Sequence, residues 1–415
     1  MNKTISLPVG LESMPNNSRT FDILMLSWEY PPHVVGGLSR HVFGLSVHLA
    51  ERGHNVHVIT LIRDDLPPYE KLNDVHIHRV KPLNEQDEDF LSWIGGLNLA
   101  IGYKVEQLAE ENHFSLIHAH DWLVGTAAIA LKDLLSIPLL ATIHATEHGR
   151  NNGIHTEIQE FINRKEQQLI TEANQVIVCS EYMVEEVTAI FDTAAEKLAI
   201  IPNGVDLTTS RDEEVDLPEF LHDQKYIFSM GRIVKEKGFE TMIEAAAMVK
   251  KQRLDYFFVI AGKGPMLETY RKKIKERQLE DKITFIGFIT EQQRNAFIQN
   301  CEMVVVPSLY EPFGIVALES MALGKPTIVS KTGGLKGIVK HLQTGMLMNP
   351  GDAESLLEQI SFLFIHPEKS AEIAIQGQQV MKNLYSWKRV ALETSRLMED
   401  LLLTQLVDVN DCYKE

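Results

Sequence analysis

Short apolar runs alternate with segments of helical periodicity through most of this 415-residue chain. In the first half, the runs rich in β-branched or apolar residues are 21–26, 56–61, 75–80, 116–119, 139–143 and 176–179. The segments between them include two helices, predicted over residues 40–52 and 157–173. This rhythm is typical of a parallel sheet whose strands are joined by crossover helices. The sequence therefore predicts an α/β, doubly wound fold.

The rhythm is interrupted by a polar stretch at residues 208–216 and then begins again. Apolar runs recur at 226–230, 257–261, 283–286, 303–306 and 327–329. We predict a flexible tail (1–20), an N-terminal doubly wound domain (21–205) and a C-terminal one (206–385), which face each other across a cleft. An amphipathic helix (386–406) follows, with no strand after it. Ligands of such sheets bind beyond the carboxyl ends of the strands.

Charge and cysteine content exclude several classes of protein. There are 40 Lys and Arg against 57 Asp and Glu, a net charge of −17, which repels nucleic acid and anionic membranes. Cys179, Cys301 and Cys412 are too few and too far apart for a disulfide framework or a zinc ribbon. We expect a cytoplasmic protein with neither a secretion signal nor a transmembrane segment. The sequence leaves the oligomeric state open.

Glycines and cations follow the first strand of each half. Gly36 and Gly37 come directly before a helix, where free N–H groups suit a phosphate or a sugar oxygen. In the second half, Arg232 and Lys237 follow the strand at 226–230. An Arg binds two oxygens of a diphosphate at once, and a Lys adds a point charge. In so acidic a chain, this pair predicts an anion site.

Two carboxylates flank the start of a predicted helix after the strand at 303–306. Pro312 favours the first helical position, which predicts Glu311 before the helix and Glu319 on its second turn. The two carboxylates would then stand roughly 8–12 Å apart, wider than most of the range for a glycosidase pair, about 5–9.5 Å. They suit the two ends of one extended ligand.

Taken together and in this order, the motifs resemble those of the retaining GT-B glycosyltransferases of family 4, the glycogen and starch synthase-like group. The resemblance covers residues 21–387. It rests on Gly36-Gly37, His118-Ala119-His120-Asp121-Trp122, His144, Pro202-Asn203-Gly204-Val205-Asp206, Gly231-Arg232, Lys237-Gly238, the segment from Glu311 to Glu319, and Thr332-Gly333-Gly334. It implies two Rossmann-like domains, with the final helix returning to the first.

The resemblance also implies roles for individual residues. Arg232 and Lys237 would bind the donor diphosphate with Gly37 nearby, and Glu319 would bind the ribose hydroxyls. Glu311 and the N–H groups of Phe313, Gly314 and Ile315 would hold the transferred sugar. His144 and Asp121 would lie beside the anomeric carbon. The donor would be a nucleotide sugar, UDP- or ADP-glucose, which is a substrate and not a cofactor.

The resemblance implies a retaining mechanism with no required metal, because fixed cations would stabilise the leaving diphosphate. Elongation of an α-glucan is the leading reaction, and a small sugar, a sugar phosphate or a lipid-linked glycan is the alternative acceptor. Val34 stands where bacterial ADP-glucose synthases have a lysine, so the nucleotide base of the donor stays unassigned.

Two other classes of protein remain as alternatives. One is a non-catalytic nucleotide-sugar-binding protein. The other is a zinc hydrolase using His144, Glu147 and His148, in a pattern that requires a helix where the sequence predicts a strand end and a loop (149–153).

Overall fold

Two separate, mainly parallel sheets organise the chain. The computed structural model describes residues 19–63, 65–205, 217–222 and 224–412, and only the backbone of 405–412. Except for residues 19 and 20, the predicted tail lies outside the described residues. The polar stretch at 208–216 and the side chain of Cys412 lie outside them as well. The predicted domain limits therefore stay a prediction.

Within the described residues, the first sheet has eight strands in the order β3-β4-β2-β1-β5-β6-β7-β8. They are β1 (Asp22–Leu26), β2 (Asn55–Leu61), β3 (Tyr69–Leu72), β4 (Val75–Val80), β5 (Leu116–His120), β6 (Leu139–Ile143), β7 (Gln175–Val178) and β8 (Leu198–Ile200). Among the strands that the structure describes, only β3 and β4 pair antiparallel. The helices between them are α1 (Gly37–Glu51), α2 (Phe90–Ala109), α3 (Gly125–Leu135), α4 (Glu147–Asn151), α5 (Glu157–Glu172) and α6 (Glu181–Phe191).

The second sheet, as far as the chain is described, has six parallel strands in the order β11-β10-β9-β12-β13-β14. They are β9 (Ile227–Met230), β10 (Phe258–Ala261), β11 (Ile283–Gly287), β12 (Met303–Val306), β13 (Thr327–Ser330) and β14 (Met346–Met348). The remaining helices are α7 (Phe239–Gln252), α8 (Leu267–Glu276), α9 (Glu291–Asn300), α10 (Ile315–Ala322), α11 (Leu335–Ile338), α12 (Ala353–Ile365), α13 (Pro367–Leu384) and α14 (Trp387–Cys412). Within the described part of the chain, no helix has both the length and the apolarity to cross a bilayer. The predicted fold class is confirmed.

Three strands and one helix were missed by the sequence pattern. The strands β3, β8 and β14 have only three or four residues each and lie at sheet edges, where strands are short. Helix α4 occupies part of the segment predicted as a loop after Ile143. That loop prediction is wrong because Thr146 accepts a hydrogen bond from the Gly149 N–H and caps a single helical turn.

The strand β1 shows how the first sheet buries both of its faces. Ile23 and Met25 pack in the apolar cluster that includes α1 and α14, whereas Leu24 and Leu26 pack in a cluster with α2 and α3. Alternate residues of a strand point to opposite faces, and a sheet covered on both sides reads as a continuous apolar run. This is why the site residues fall in the loops beyond the strands.

The final helix packs on the first sheet's layer. Val205 pairs with Ser386 as an isolated parallel bridge, and the Val205 N–H donates to the Tyr385 carbonyl at 2.8 Å. The chain therefore returns to the place where the first half ends. Trp387 then starts α14 with its indole buried between α1 and Gly204, and His54 of the first half contacts Ser395 of α14 at 2.8 Å.

Gly44 provides a stability test of this packing. A Cβ built on Gly44 would lie 2.2 Å from an atom of the Trp387 ring, whereas one on Gly102 of α2 meets nothing within 4 Å. We expect Gly44→Ala to lower the stability by about 1–3 kcal/mol through overpacking, measured as a lower melting temperature in calorimetry. Gly102→Ala is the matched control. It should hold or raise the melting temperature, because alanine favours a helix interior by about 1 kcal/mol over glycine. Equal effects of the two variants would contradict the packing argument.

Candidate functional site

The ends of the central strands bring the predicted site residues to one edge of each sheet. In both sheets the first strand lies at the point where the strand order reverses, since β1 lies between β2 and β5, and β9 between β10 and β12. Ligands of doubly wound sheets bind beyond the carboxyl ends of the strands at this switch point. Asp121 follows β5, Lys237 follows β9 and Glu311 follows β12.

The two halves touch at this edge. Gly37 begins α1, and a Cβ built on it would lie 2.8 Å from Cδ1 of Ile315, the first residue of α10. Arg40, one turn further along α1, donates to Oε1 of Glu319 at 2.8 Å. The start of α1 therefore faces the start of α10, which brings Gly37, Ile315 and Glu319 together.

The glycine loop before α1 is held by a buried carboxylate. Glu29 accepts hydrogen bonds from the backbone N–H of Val35 at 2.6 Å and of Gly36 at 3.3 Å. Burial raises the pKa of Glu29, and these N–H groups partly oppose the rise. The sequence pattern assigned no role to Glu29. In the structure it fixes the path of the chain into Gly37.

Asp121 and His144 form one unit at the ends of β5 and β6. Oδ1 of Asp121 accepts the backbone N–H of His144 at 2.8 Å. Burial raises the pKa of Asp121 to about 6, although the charge of Arg150 and this hydrogen bond act against the rise. Burial, with the positive charge of Arg150, lowers the pKa of His144 to about 3. His144 is therefore a neutral imidazole at pH 7, and Asp121 is mostly ionised.

His144 is also one of three histidines whose imidazole rings lie close together. His120 Nδ1 lies 3.2 Å from His144 Nε2, and the His41 ring lies 4.7 Å from the His144 ring. His41 is held by Asn203 at 2.6 Å. One nitrogen from each histidine lies within 4.8 Å of the others, and among the described residues these form the one such group that could share an ion. His41 comes from α1, far from His120 and His144 in sequence, so the sequence pattern did not indicate this group.

The second histidine of the His-x-x-Glu-His pattern lies apart from this group. His144 precedes α4, whereas Glu147 and His148 are on its first turn. The Glu147 carboxylate accepts from the Asn151 side chain at 2.9 Å. The zinc hydrolase alternative needs both histidines on one helical face, and this chain has only one of them in a helix.

A partly buried ion pair lies in the loops that follow β9 and β12. Lys237 Nζ donates to Oε2 of Glu311 at 2.6 Å, and Ser308 Oγ donates to the same oxygen at 2.9 Å. The Glu311 side chain is about one-tenth exposed and that of Lys237 about one-quarter. Glu311 and Lys237 were singled out from the sequence, but their direct contact was not expected. The resemblance implies instead that Lys237 binds the donor diphosphate and that Glu311 binds the transferred sugar.

Arg232 lies at the same strand end with a more exposed side chain. It is 52% exposed and lies 3.9 Å from Oε1 of Glu236. Gly238, at φ +67°, lets this loop approach the β12 loop, since a Cβ there would lie 2.0 Å from the Pro307 carbonyl oxygen. The structure therefore puts Lys237 in contact with Glu311, and leaves Arg232, which precedes Lys237 in the same loop, half exposed to solvent.

Glu319 is held by two arginines that sequence reasoning missed. Its Oε1 accepts from Arg40 at 2.8 Å and from Arg294 at 2.9 Å. Its Oε2 is buried and has no partner among the described residues. A buried carboxylate oxygen without a donor is rare, so this atom is available to a hydroxyl of a ligand. Arg294 lies on α9, in a pattern that nothing in the sequence distinguishes from a surface helix.

The helix predicted to start at Pro312 starts three residues later. Helix α10 begins at Ile315, after Gly314 in a left-handed conformation with φ +120°. The predicted start is wrong because the Pro312 carbonyl is taken by Ser180 of the first half at 2.7 Å, and Gly314 breaks the helical path. Phe313 is buried in the core cluster. Glu319 still lies on the second turn.

Glu186 joins the His144 segment to the Glu311 segment. Its Oε1 accepts from Thr146 Oγ1 at 2.6 Å and from the Tyr310 hydroxyl at 2.8 Å, and its Oε2 accepts from Tyr182 at 2.6 Å. Tyr310 directly precedes Glu311, and Thr146 is two residues after His144. A single carboxylate of α6 therefore fixes the distance between the two predicted catalytic segments.

Comparison with known proteins gives a consistent result for both halves. Residues 35–209 match the family described as Glycosyltransferase Family 4, and residues 210–380 match Glycosyl transferases group 1. Together the two matches span most of the chain, and they meet between the two sheets.

Relatives cover nearly the same length. An uncharacterized glycosyltransferase of Methanocaldococcus jannaschii is 34% identical over 90% of this chain and 96% of its own. The glycogen synthase of Mycobacterium tuberculosis is 30% identical over 90% of this chain and 94% of its own. Among solved structures, the sucrose-phosphate synthase of Thermosynechococcus elongatus has the same fold, with a TM-score of 0.80, 24% identity, and coverage of 93% of this chain and 100% of that one.

The contact between Tyr310 and Glu186 generates a prediction about coupling between the halves. We expect Tyr310→Phe and Glu186→Gln each to lower the melting temperature, because the first removes a partly buried hydrogen bond to a carboxylate and the second replaces that carboxylate with a weaker, neutral acceptor. The double variant should lose less than the sum of the two, since both changes act on the same bond. Tyr69→Phe, an exposed tyrosine on β3, is the control and should be additive with Glu186→Gln. Additive losses for Tyr310 and Glu186 would contradict the contact.

Proposed function

Because this chain belongs to glycosyltransferase family 4 and has the GT-B fold, we propose that it moves a hexose from a nucleoside-diphosphate sugar to a carbohydrate hydroxyl with retention of configuration. The hexose is glucose, carried by UDP or ADP, and no resident cofactor or metal is required. An α-glucan is the first acceptor to test, given the identity to a glycogen synthase. The other acceptors are a small sugar, a sugar phosphate and a lipid-linked glycan.

The observation that carries the proposal is the Lys237–Glu311 pair at the switch point. Breaking the bond between sugar and diphosphate leaves positive charge on the sugar and adds negative charge to the leaving group. Lys237 stabilises that negative charge together with Arg232 of the same loop. Glu311 accepts hydrogen bonds from hydroxyl groups of the sugar. Fixed charges that are already oriented stabilise a transition state without reorganising. Metal ions fill this role in other transferases.

The unpartnered Oε2 of Glu319 supports a ribose contact at the other end of the donor. Oε1 is already held by Arg40 and Arg294, so the carboxylate keeps its orientation when a ligand enters. A ribose hydroxyl donates to Oε2. This contact does not involve the nucleotide base, so it does not distinguish UDP from ADP donors.

The charge states of His144 and Asp121 suit a sugar that becomes cationic. A neutral imidazole beside the anomeric carbon adds no repulsion, and the ionised Asp121 adds negative potential nearby. The acceptor oxygen attacks from the face that the diphosphate leaves, and the acceptor proton passes to the leaving phosphate. The new C1–O bond thus replaces the broken one on the same face, which retains the configuration.

The first experiment is a panel of nucleotide sugars tested for donor hydrolysis, followed by the best donor with glucans and small acceptors. NMR of the anomeric proton gives the stereochemistry, and an excess of chelator tests the need for metal. Stoichiometric zinc bound through His144 and His148, with loss of activity on chelation, would favour the hydrolase instead. Nucleotide-sugar binding with no transfer to any acceptor would favour a binding protein.

Lys237 and Glu311 have different expected phenotypes. Lys237→Ala should weaken nucleotide binding and lower kcat/KM by about 100-fold or more, the usual cost of removing one group that stabilises developing negative charge. Glu311→Ala should abolish transfer while leaving nucleotide binding largely intact, since it contacts the sugar. Calorimetric titration with UDP or ADP and steady-state kinetics measure both. Lys235→Ala, an exposed lysine on the same short turn, is the control. Turnover like that of the wild type in either site variant would contradict the assigned role.

Asp121 should set the acidic limb of the pH profile. Its pKa is about 6, so it gains a proton as the pH falls through that value and no longer stabilises the cationic sugar. We expect kcat/KM for the donor to fall there, and Asp121→Asn to be slower but flat over the same range. His144 does not contribute, because its pKa is about 3. Asp133→Asn, an exposed carboxylate of α3, should keep the limb. A limb that persists in Asp121→Asn would contradict this assignment.

A further inference from the structure

Arg150 is a cation of the site whose guanidinium binds no other side chain in the described part of the chain. It lies on α4, six residues after His144, and its backbone N–H donates to the Thr146 carbonyl at 3.1 Å. Its side chain is partly buried, and its guanidinium donates no hydrogen bond and makes no ion pair with any described residue. An arginine has five N–H donors in a planar fork. None of its nitrogens is among the buried atoms that lack a partner, so these donors reach solvent and are available to a ligand.

The charge of Arg150 acts on both sides of the cleft. It lowers the pKa of Asp121 and of His144 in the first half, and it acts in the same direction on Tyr310 of the second half. These groups adjoin the proposed reaction centre. The Arg150 guanidinium, which belongs to the first half, is therefore close enough to interact electrostatically with a sugar bound at the proposed reaction centre.

Other cations of the site are already occupied. Lys237 is paired with Glu311, and Arg40 and Arg294 both bind Glu319. These groups serve the donor in the proposed function. Arg150 differs from them both in its place, beside His144, and in its lack of a partner. Both properties are those of a binding site for a second anionic group, one that is not part of the donor.

The carboxylates around Arg150 leave its charge available. Burial raises the pKa of Glu166 to about 8, which makes this neighbour mostly neutral at pH 7. Glu166 also accepts the Glu147 backbone N–H with both oxygens, at 2.9 and 3.1 Å. Asp121 accepts the His144 N–H. No carboxylate oxygen of Glu166 or Asp121 lies within 4.0 Å of an Arg150 guanidinium nitrogen, which is the limit for an ion pair.

We propose that the acceptor carries a phosphate group and that Arg150 binds it, with two parallel N–H···O bonds from the guanidinium fork. The substrate is then a phosphorylated sugar and not a neutral glucan. This inference rests on the proposed function and narrows its acceptor. In the reaction, a free hydroxyl of the sugar phosphate forms the new bond to C1 of the donor hexose while the C1–O bond to the diphosphate breaks. The hydroxyl proton goes to the released nucleoside diphosphate, and the acceptor phosphate is unchanged.

Acceptor preference is the primary test. The wild-type protein is assayed with glucose, glucose 1-phosphate, glucose 6-phosphate, maltose and glycogen, with the best donor from the panel. We expect kcat/KM for one of the two phosphates to exceed that for glucose by at least about 100-fold, the effect of two charge-assisted hydrogen bonds. The two esters distinguish the position of the phosphate. Glycogen or maltose used as well as either phosphate would overturn the proposal.

Substitution then tests the residue. Arg150→Met should reduce the ratio of kcat/KM between the preferred phosphate and glucose by at least about ten-fold, and Arg150→Lys by less, because lysine keeps the charge without the fork. Arg164→Met, an exposed arginine of α5 paired with Glu160, is the matched control and should keep the ratio. A ratio unchanged in Arg150→Met would overturn the proposal, because a purely structural role lowers both rates together.

Direct binding separates this inference from the proposed function. Calorimetric titration of glucose 1-phosphate and glucose 6-phosphate into the protein, with nucleoside diphosphate present, needs no turnover. Binding by the wild type that is weakened at least about ten-fold in Arg150→Met, together with an unchanged circular dichroism spectrum, supports the anion site even if no donor in the panel is used. Transfer to neutral sugars without any binding of the phosphates would leave the proposed function standing and overturn this inference.

Discussion

The Lys237–Glu311 ion pair is the interaction on which the site depends. A buried charge is stable only when it is paired, and its partners must be well placed. Glu311 meets this requirement through Lys237 and Ser308. Its own loop is supported from beneath by Gly333, where a Cβ would lie 2.1 Å from the Glu311 carbonyl oxygen. Close backbone packing thus holds the carboxylate in the cleft, and the carboxylate in turn holds the lysine where a diphosphate would bind.

The Glu311 loop is also where the two halves of the molecule are joined. Ser180 binds the Pro312 carbonyl, and Tyr310 binds Glu186. Both contacts come from α6 or the residue that caps it. Any rotation of one half against the other must break or re-form them, so the position of His144 relative to Glu311 depends on closure. This arrangement is consistent with a cleft that excludes water when both substrates are bound.

The sequence predicted the sheets well because their strands are buried on both faces. Continuous apolar runs marked β1, β4, β6 and β12 to within a residue, and the chemistry-bearing residues followed directly from the rule that ligands bind beyond strand ends. What it missed depends on contacts between distant segments. His41 and Arg294 look like ordinary helix residues until the fold brings them to His144 and Glu319. The start of α10 was misplaced because a local preference of proline was overridden by a contact with the other half.

The distribution of charge gives the site a way to favour the transition state over the bound substrate. Lys237 already pairs with Glu311, so in the proposed function a diphosphate would share the lysine with this carboxylate and would gain only part of its attraction on binding. The gain grows only when the bond breaks and the negative charge on the leaving group increases. Interactions that strengthen in the transition state raise the rate, whereas those made equally in the ground state only tighten binding. In the proposed function, a lysine held in advance by a carboxylate that would also contact the sugar would therefore serve turnover more than affinity, in a chain whose net charge of −17 would otherwise repel the donor.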